Sequence, residues 1–184
     1  MKQILAIIGG VGSGKDVAAE YISQKLNIPA FQMSQPLKDM AKEQGIEPTR
    51  ENLIDLGSKL ARELGEGSLS KMILPKIETM GIISGIRIMG EINYLKNNAD
   101  LTILSIEADS KIRFQRSLDR NKLGEAKTYE EFVQNEVNEN SAPRVQRLFE
   151  CMKLADYRID NNGDIDEFYK KIDEFLHSKE ATFS

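Results

Sequence analysis

The chain has 184 residues, of which 40% are hydrophobic and 29% are charged, and its formal net charge at pH 7 is -4. This length fits one domain, and the composition excludes an intrinsically disordered chain. The negative charge argues against a general nucleic-acid coating role, because proteins that bind phosphate backbones carry an excess of basic residues. A single cysteine and a single histidine leave neither a disulfide framework nor a His/Cys zinc cluster.

The longest apolar stretch, Ile4 to Ile8, is far shorter than the roughly 20 residues that a membrane span needs. It also lacks the charged and small-residue flanks of a signal peptide. We therefore expect a cytoplasmic protein, either a monomer or a homodimer. Its expected partners are small molecules, and we expect neither a membrane nor a nucleic-acid polymer among them.

Hydrophobic periodicity predicts that the chain opens with a strand followed by a helix. The apolar run 3–8 has the pattern of a strand buried on both faces. Apolar side chains then recur at steps of three and four residues from Lys15 to Leu26, which predicts a helix. A short second strand is expected at 30–33, before a helix that Ser34 caps.

The rest of the chain continues this alternation of strands and helices. We predict helices at 53–64, 69–77, 91–97, 110–120, 129–151 (with a break before Pro143) and 165–176, and strands at 82–86, 101–106 and 157–159. Such alternation indicates an α/β fold, in which helices cover both faces of a parallel sheet of about five strands.

The strongest motif is the glycine-rich segment between the first strand and the first helix. Gly9-Gly10-Val11-Gly12-Ser13-Gly14-Lys15 has a glycine, four residues and then Gly-Lys, which is the spacing of a phosphate-binding P-loop. Its backbone N–H groups can surround phosphates, and Lys15 can reach the outer ones. We therefore predict a three-layer P-loop NTPase fold that binds ATP. The predicted ATP contacts in this segment are Gly10, Gly12, Ser13, Gly14, Lys15, Asp16 and Val17.

Asp16 departs from the usual P-loop pattern, which has a Ser or Thr after the lysine whose hydroxyl binds magnesium. Three interpretations follow. Asp16 holds Mg²⁺ through a water molecule, Asp16 points away while another oxygen binds the ion, or the site binds the nucleotide without turning it over.

Four segments together resemble the nucleoside monophosphate kinase-like group of P-loop kinases. They are Gly9–Lys15, Ser34–Lys38, Ser84–Arg87 with Glu91 after it, and Ala155–Gly163, so the likeness covers nearly the whole chain. Within the group, the P-loop and the Asp160-Asn161-Asn162-Gly163 ending are similar to dephospho-coenzyme A kinase. Gly14-Lys15-Asp16 with Ser34–Lys38 is similar to phage deoxynucleoside monophosphate kinases and animal phosphomevalonate kinase. An archaeal group of predicted nucleotide kinases resembles the chain most overall.

This resemblance implies roles for particular residues. The Gly-Lys-Asp enzymes imply that Asp16 is compatible with catalysis. Asn162 and Gly163 would lie beside the adenine base of ATP. Ser84 stands where relatives often have an acidic residue near magnesium, and a hydroxyl would be a weaker ligand.

Three arginines, Arg113, Arg116 and Arg120, share one face of the predicted helix 110–120. They precede the polar loop 121–128, which we predict to be a small lid. Guanidinium groups that arrive as a lid closes would neutralise the charge of the transferring phosphoryl group. The alternative is a solvated face whose arginines pair with Asp109 or Asp119.

By resemblance, Arg116 and Arg120 are the favoured lid arginines, and Arg87 matches the arginine of the group that binds the acceptor. The predicted catalytic set is therefore Lys15, Arg87, Arg116 and Arg120. The predicted domain is single and spans 1–180, with a frayed tail at 181–184.

The predicted acceptor site combines basic and polar side chains. Arg50 and Lys38 could clamp the phosphate of the acceptor, although a surface role fits each of them equally well. The full predicted acceptor-binding set is Ser34, Lys38, Arg50, Arg87 and Glu91.

A nucleoside monophosphate is the acceptor that the sequence favours. Its phosphate is largely ionised near neutral pH, so attack needs positioning but no strong general base. Dephospho-coenzyme A, the second candidate, has a hydroxyl acceptor, and its kinases are expected to place an aspartate where this chain has Met33-Ser34-Gln35. Phosphomevalonate is third. A regulator that binds ATP without catalysis is the alternative from another functional class.

Overall fold

The computed structural model describes residues 1–120, 126–141 and 145–178. Within them, five strands form one sheet in the order β2-β3-β1-β4-β5, and every neighbouring pair is parallel. The strands are β1 Gln3–Ile8, β2 Ala30–Gln32, β3 Met80–Ser84, β4 Asp100–Glu107 and β5 Tyr157–Asp160. The predicted α/β fold with five parallel strands is confirmed.

Helices cover both faces of this sheet. Their bounds are α1 Lys15–Leu26, α2 Ser34–Glu43, α3 Arg50–Leu64, α4 Ser68–Ile73, α5 Met89–Asn98, α6 Ser110–Arg120, α7 Tyr129–Glu139, α8 Leu148–Lys153 and α9 Ile165–Ser178, with a 3-10 turn at Leu74–Lys76. Buried side chains of α1 and α9 form the core on one face, and those of α2 to α5 and α8 form the core on the other. The sheet therefore lies between two helical layers.

Strand β1 shows why its sequence is apolar throughout. Ile4, Ala6 and Ile8 belong to the core under α2 to α5, whereas Leu5 and Ile7 belong to the core under α1 and α9. Successive side chains of a strand point to opposite faces, so a central strand with a helical layer on each side needs apolar residues at every position. Because β1 ends at Ile8, the glycine-rich loop that follows lies at the carboxyl edge of the sheet.

Several predicted boundaries were wrong, including the ends of the strands predicted at 30–33 and 82–86 and the end of the helix predicted at 69–77. The third strand ends at Ser84 because Gly85 has a φ of +83°, which breaks the extended backbone, and Ile86 is buried although it lies beyond the strand. Helix α2 begins at Ser34 itself, so Met33 is the residue before the helix and Ser34 does not cap it. At 82–86 the apolar pattern predicted the burial of Ile86 correctly but not its backbone conformation.

The region of the predicted lid is described only in part. Residues 121–125 of the predicted lid 121–128 lie outside the described residues, as does the predicted frayed tail 181–184. Ala126 is buried in a small cluster with Val11 and Phe132. The helical stretch predicted at 129–151, with a break before Pro143, is two helices, α7 and α8, and α7 ends at Glu139, before Pro143. Residues 142–144 between them are outside the described part.

We found no helix with the length and apolar character of a membrane span in residues 1–120, 126–141 and 145–178.

Glu91, in the first turn of α5, holds the start of α4. Its carboxylate oxygens accept hydrogen bonds from the backbone N–H groups of Leu69 at 3.1 Å and Ser70 at 2.7 Å. The first N–H groups of a helix have no partner inside the helix, so this carboxylate supplies what α4 lacks. Burial raises the pKa of Glu91 above its ordinary value.

We expect Glu91→Ala to lower the free energy of unfolding by about 2–4 kcal/mol, because two buried N–H groups lose their acceptor. Equilibrium denaturation in urea measures this change. Glu78→Ala, at an exposed position, is the control and should change stability by less than about 0.5 kcal/mol. Equal stabilities for the two variants would show that Glu91 does not hold α4.

Candidate active site

The P-loop, residues 9–14, connects β1 to α1 in a conformation that requires glycine. Gly12 has a φ of +74° and Gly14 a φ of +97°, a region that side chains with a Cβ rarely adopt. A Cβ on Gly12 would also collide with the backbone of Arg113, and one on Gly14 with the amide nitrogen of Asn161. Helix α1 starts directly after Gly14, so its free N–H groups face the region where a phosphate would sit.

Asn161, which follows β5, connects the P-loop to the end of β4 through hydrogen bonds. Its side-chain amide donates a 2.8 Å hydrogen bond to the backbone oxygen of Ser13, and its backbone N–H donates to Glu107 O at 2.7 Å. The residue is buried. Asn161 was predicted only to lie within a turn near the adenine base, and its contact with the P-loop was not predicted.

A cavity of about 360 Å³ lies beside the P-loop, at the ends of β2 and β3. Its cationic lining residues in the described chain are Lys15, Lys38, Arg50, Arg87 and Arg120. Most of the remaining wall is apolar and comes from α2, α3, α4 and the segment after β3. These apolar residues are Leu37, Leu53, Ile54, Leu69, Ile86 and Ile88. The cavity therefore suits an anionic ligand that also carries an apolar or aromatic part.

Lys15 lies where this cavity meets the P-loop. Its side chain is 11% exposed, and its Nζ is 3.2 Å from Oδ2 of Asp16. Burial lowers the pKa of Lys15 to about 8, even though the neighbouring Asp16 carboxylate favours the charged form. A bound polyphosphate would raise the pKa of Lys15 again, because it places negative charge beside the amine.

Asp16 and Ser84, the two predicted magnesium contacts, both line the cavity. The described residues hold no cluster of three or more His, Cys, Asp or Glu side chains that could bind a metal ion by itself. Mg²⁺ in such sites takes one or two protein oxygens and completes its shell with phosphate oxygens and water. The oxygens of Asp16 and Ser84 fit an ion of that kind, which would neutralise phosphate charge when bound with ATP.

The three arginines of α6 do not point to one place. Arg120 lines the cavity with Lys15. Arg116 donates to the backbone oxygens of Asn161 at 2.9 Å and Gly163 at 3.3 Å, and it does not line the cavity. Arg113 forms a two-bond ion pair with Glu136 and donates to Val11 O at 3.3 Å. The geometry brings Arg120 alone among the three to the predicted reaction centre, so a catalytic Arg116 stays a prediction without a supporting contact.

The predicted adenine contacts lie in the loop after β5. Asn162 accepts a 2.7 Å hydrogen bond from the backbone N–H of Asp109, which joins the loops after β4 and β5. The Gly163 oxygen accepts the bond from Arg116. Both residues lie outside the cavity that Lys15 and Arg120 line. Their contact with adenine remains a prediction.

Arg50 and Arg87 meet the same carboxylate. Arg50 donates to Glu139 from Nε at 2.5 Å and from Nη2 at 2.7 Å, and Arg87 Nη1 donates to Glu139 at 3.1 Å. Burial, followed by the nearby charge of Arg50, lowers the pKa of Arg87 to about 10. Arg50 is partly buried, lines the cavity and pairs with Glu139, which favours the predicted phosphate clamp over a surface role.

The other predicted acceptor residues also reach the cavity. Ser34 and Lys38 contribute from α2. Glu91 contributes to the wall as well, but both of its carboxylate oxygens are taken by the start of α4. Its observed contacts are therefore structural, and a direct contact with the acceptor stays a prediction.

Two side chains near the predicted acceptor site, Glu139 and Gln146, were not predicted from the sequence. Glu139 closes a pair with Arg50 across 89 positions of sequence, which no local pattern could indicate. Gln146 lines the cavity, is 8% exposed, and its Oε1 has no hydrogen-bond partner among the described residues. A buried oxygen without a partner at the wall of a cavity is a candidate contact for a ligand.

We expect ATP binding to take up protons at alkaline pH, because the pKa of Lys15 is about 8 in the free protein and should return toward 10.5 beside phosphate. The uptake should be about 0.7 proton at pH 8.5 and about 0.1 proton at pH 7. Titration calorimetry in two buffers with different ionisation enthalpies measures it. The pH 7 titration is the internal control, and equal uptake at the two pH values would contradict the lowered pKa.

Solved structures of P-loop kinases share this fold. Shikimate kinase from Bacteroides thetaiotaomicron superposes with a TM-score of 0.60 at 14% identity, over 97% of this chain and 98% of that one. A gluconokinase from Sinorhizobium meliloti superposes with a TM-score of 0.56 at 14% identity, over 96% and 92%. Likenesses at this low identity concern the fold, and they confirm the predicted P-loop kinase-like architecture.

Archaeal proteins are similar in sequence. The chain is 30% identical over 182 residues to a UPF0200 protein of Pyrococcus horikoshii, which covers 94% of this chain and 95% of the relative. It is 28% identical over 182 residues to a UPF0200/UPF0201 protein of Archaeoglobus fulgidus, and there it spans only 55% of the relative's length. The profile of a family described as an AAA domain matches residues 8–134. The chain therefore belongs to the UPF0200 family, and residues 8–134 belong to the AAA domain family.

Proposed function

We propose that the protein is an ATP-dependent phosphotransferase that moves the terminal phosphoryl group of ATP to a small, nucleotide-like acceptor, most favourably a nucleoside monophosphate. One observation carries this function. A single cavity brings P-loop Lys15 together with Arg120 from α6 and with Arg50, Arg87 and Lys38 from the acceptor side. A protein that only senses ATP has no need for this second group of cations.

The residues around the cavity would have different roles in phosphoryl transfer. The P-loop amides and Lys15 would hold the phosphates of ATP, and Mg²⁺ beside Asp16 and Ser84 would neutralise their charge. Arg50, Arg87 and Lys38 would orient the acceptor phosphate. Arg120 would stabilise the phosphoryl group during transfer, when its charge spreads over the equatorial oxygens. Positioning and charge neutralisation of this kind supply most of the catalysis in phosphoryl transfer.

The carboxylates of the cavity support a phosphate acceptor over a hydroxyl acceptor. A hydroxyl needs a general base, and the carboxylates among the described lining residues are Asp16 and Glu91. Asp16 lies against Lys15, and Glu91 accepts two backbone hydrogen bonds. Asp39 lies about one helical turn beyond Met33-Ser34-Gln35 and could substitute for the base of a dephospho-coenzyme A kinase, but it is exposed and accepts a hydrogen bond from Gln35. A phosphate acceptor is already ionised and needs no such base.

The apolar wall supports an acceptor with a ring. Leucine and isoleucine side chains of α2, α3 and the segment after β3 line the part of the cavity beyond the arginines. Gly57, in the middle of α3, also lines it. Glycine inside a helix costs about 1 kcal/mol relative to alanine. A Cβ on Gly57 would lie 3.3 Å from Cδ1 of Leu37, so glycine lets α3 pack closely against α2 beside the cavity. The apolar wall suits the face of a nucleobase.

The direct test is transfer of labelled phosphate from MgATP to ribo- and deoxyribonucleoside monophosphates, dephospho-coenzyme A and phosphomevalonate. We expect rapid labelling of one nucleoside monophosphate and a loss of at least about 100-fold in kcat/KM for Lys15→Ala, because the outer phosphates lose their cation. Lys25→Ala is the control, since Lys25 pairs with Asp173 away from the cavity. Tight ATP binding without transfer to any acceptor would refute the kinase and favour a sensor.

Gln146 should contribute to selection of the acceptor through its unpaired Oε1. We expect Gln146→Leu to raise the KM for the acceptor about 10- to 100-fold, because a buried donor of the acceptor would lose its partner. The KM for ATP should stay within about twofold. Gln134→Leu, on the exposed face of α7, is the matched control. An unchanged acceptor KM would show that Gln146 does not contact the acceptor.

A further inference from the structure

Glu139 is an acidic residue in an unfavourable position. It is the last residue of α7, where the helix dipole favours cations, and it is only 4% exposed. Burial and the dipole both oppose a carboxylate there. Its two cationic partners, Arg50 and Arg87, offset this cost.

Arg50 and Arg87 in turn need a negative charge close to them. Both line the cavity, and the charge of Arg50 is among the causes that lower the pKa of Arg87. Two guanidinium groups that are close together and partly buried repel each other. A carboxylate bonded to both reduces this repulsion and fixes the orientation of each side chain.

The position of Glu139 separates it from the substrate. Arg50 and Arg87 line the cavity, whereas Glu139 does not. Arg50 uses its Nε and Nη2 for Glu139, and Arg87 uses one Nη1 bond. Each guanidinium has five N–H donors. The donors that remain have no partner among the described residues and are free for a ligand in the cavity.

We infer that Glu139 is a positioning residue, which holds Arg50 and Arg87 from outside the cavity so that their remaining N–H groups form a binding site for the phosphate of the acceptor. This inference rests on the proposed function, because it takes these arginines as the acceptor's anion site. Glu139 does not touch the acceptor. It acts by fixing two donors before the ligand arrives, which removes the cost of ordering them during binding.

Binding of inorganic phosphate tests this role without any turnover. The P-loop is first saturated with β,γ-methylene ATP, so that added phosphate can reach only the acceptor side, and calorimetry gives the Kd. We expect Glu139→Gln to weaken phosphate binding by about tenfold or more, because the bidentate hold on Arg50 is lost. Unchanged or tighter phosphate binding would overturn the inference, and tighter binding would show that Glu139 competes with the anion.

Two further variants distinguish positioning by Glu139 from a general effect of losing a negative charge. Glu130→Gln is the matched control, because Glu130 lies in the first turn of the same helix, is exposed and does not line the cavity. It should leave phosphate binding unchanged. Glu139→Asp keeps the charge but shortens the side chain, so a positioning role predicts weaker phosphate binding and a purely electrostatic role predicts wild-type binding. It also serves if Glu139→Gln does not fold, which the affinity for β,γ-methylene ATP would reveal.

Kinetics separate this role from a general structural one. In the transfer assay, Glu139→Gln should raise the KM for the acceptor about tenfold while kcat and the KM for ATP stay within about twofold. A fall in kcat with no change in the acceptor KM would contradict positioning. If no acceptor is phosphorylated but Glu139→Gln still weakens phosphate binding, the proposed kinase activity fails and the role of Glu139 stands.

Discussion

Repulsion between cations in a partly buried cavity is the constraint on which the rest of the site depends. Lys15 and Arg87 both have lowered pKa values, because burial and neighbouring positive charge oppose their charged forms. Asp16 and Glu139 limit this repulsion, each from beside a cation. A polyphosphate or a phosphate monoester would relieve it further, so the free protein already favours an anionic ligand in this place.

The loops at the carboxyl edge of the sheet hold one another in place before any ligand binds. Asn161 bonds the P-loop to the end of β5, and Asn162 bonds the loop after β4 to the loop after β5. Arg116 joins α6 to that same loop. Parallel strands bring all these loops to one edge, and side-chain hydrogen bonds then fix their relative positions. Preorganised donors of this kind do not need to reorient when charge develops during a reaction.

The parts of this structure that follow from local patterns were predictable, and those that depend on long-range contacts were not. The apolar run of β1, the glycine spacing and the helical periodicity of α1 are local, and they gave the strand, the P-loop and the helix in the right places. The spacing of Arg113, Arg116 and Arg120 correctly put them on one helix, but their long side chains reach three different partners. Only the packing of α6 against α7 and the β5 loop decides those partners. The role of Glu139 could not be predicted for the same reason, because its partners come from α3 and from the segment after β3.

Helix α7 connects the two halves of the site through two glutamates that lie three residues apart on one face. Glu136 binds Arg113, which in turn donates to the P-loop oxygen of Val11, and Glu139 binds Arg50 and Arg87 on the acceptor side. A rigid helix that contacts both halves transmits any displacement from one half to the other. Thermodynamic linkage makes such communication mutual, so a donor nucleotide that shifted this helix would change the affinity for the acceptor by the same factor as the acceptor changes the affinity for the nucleotide.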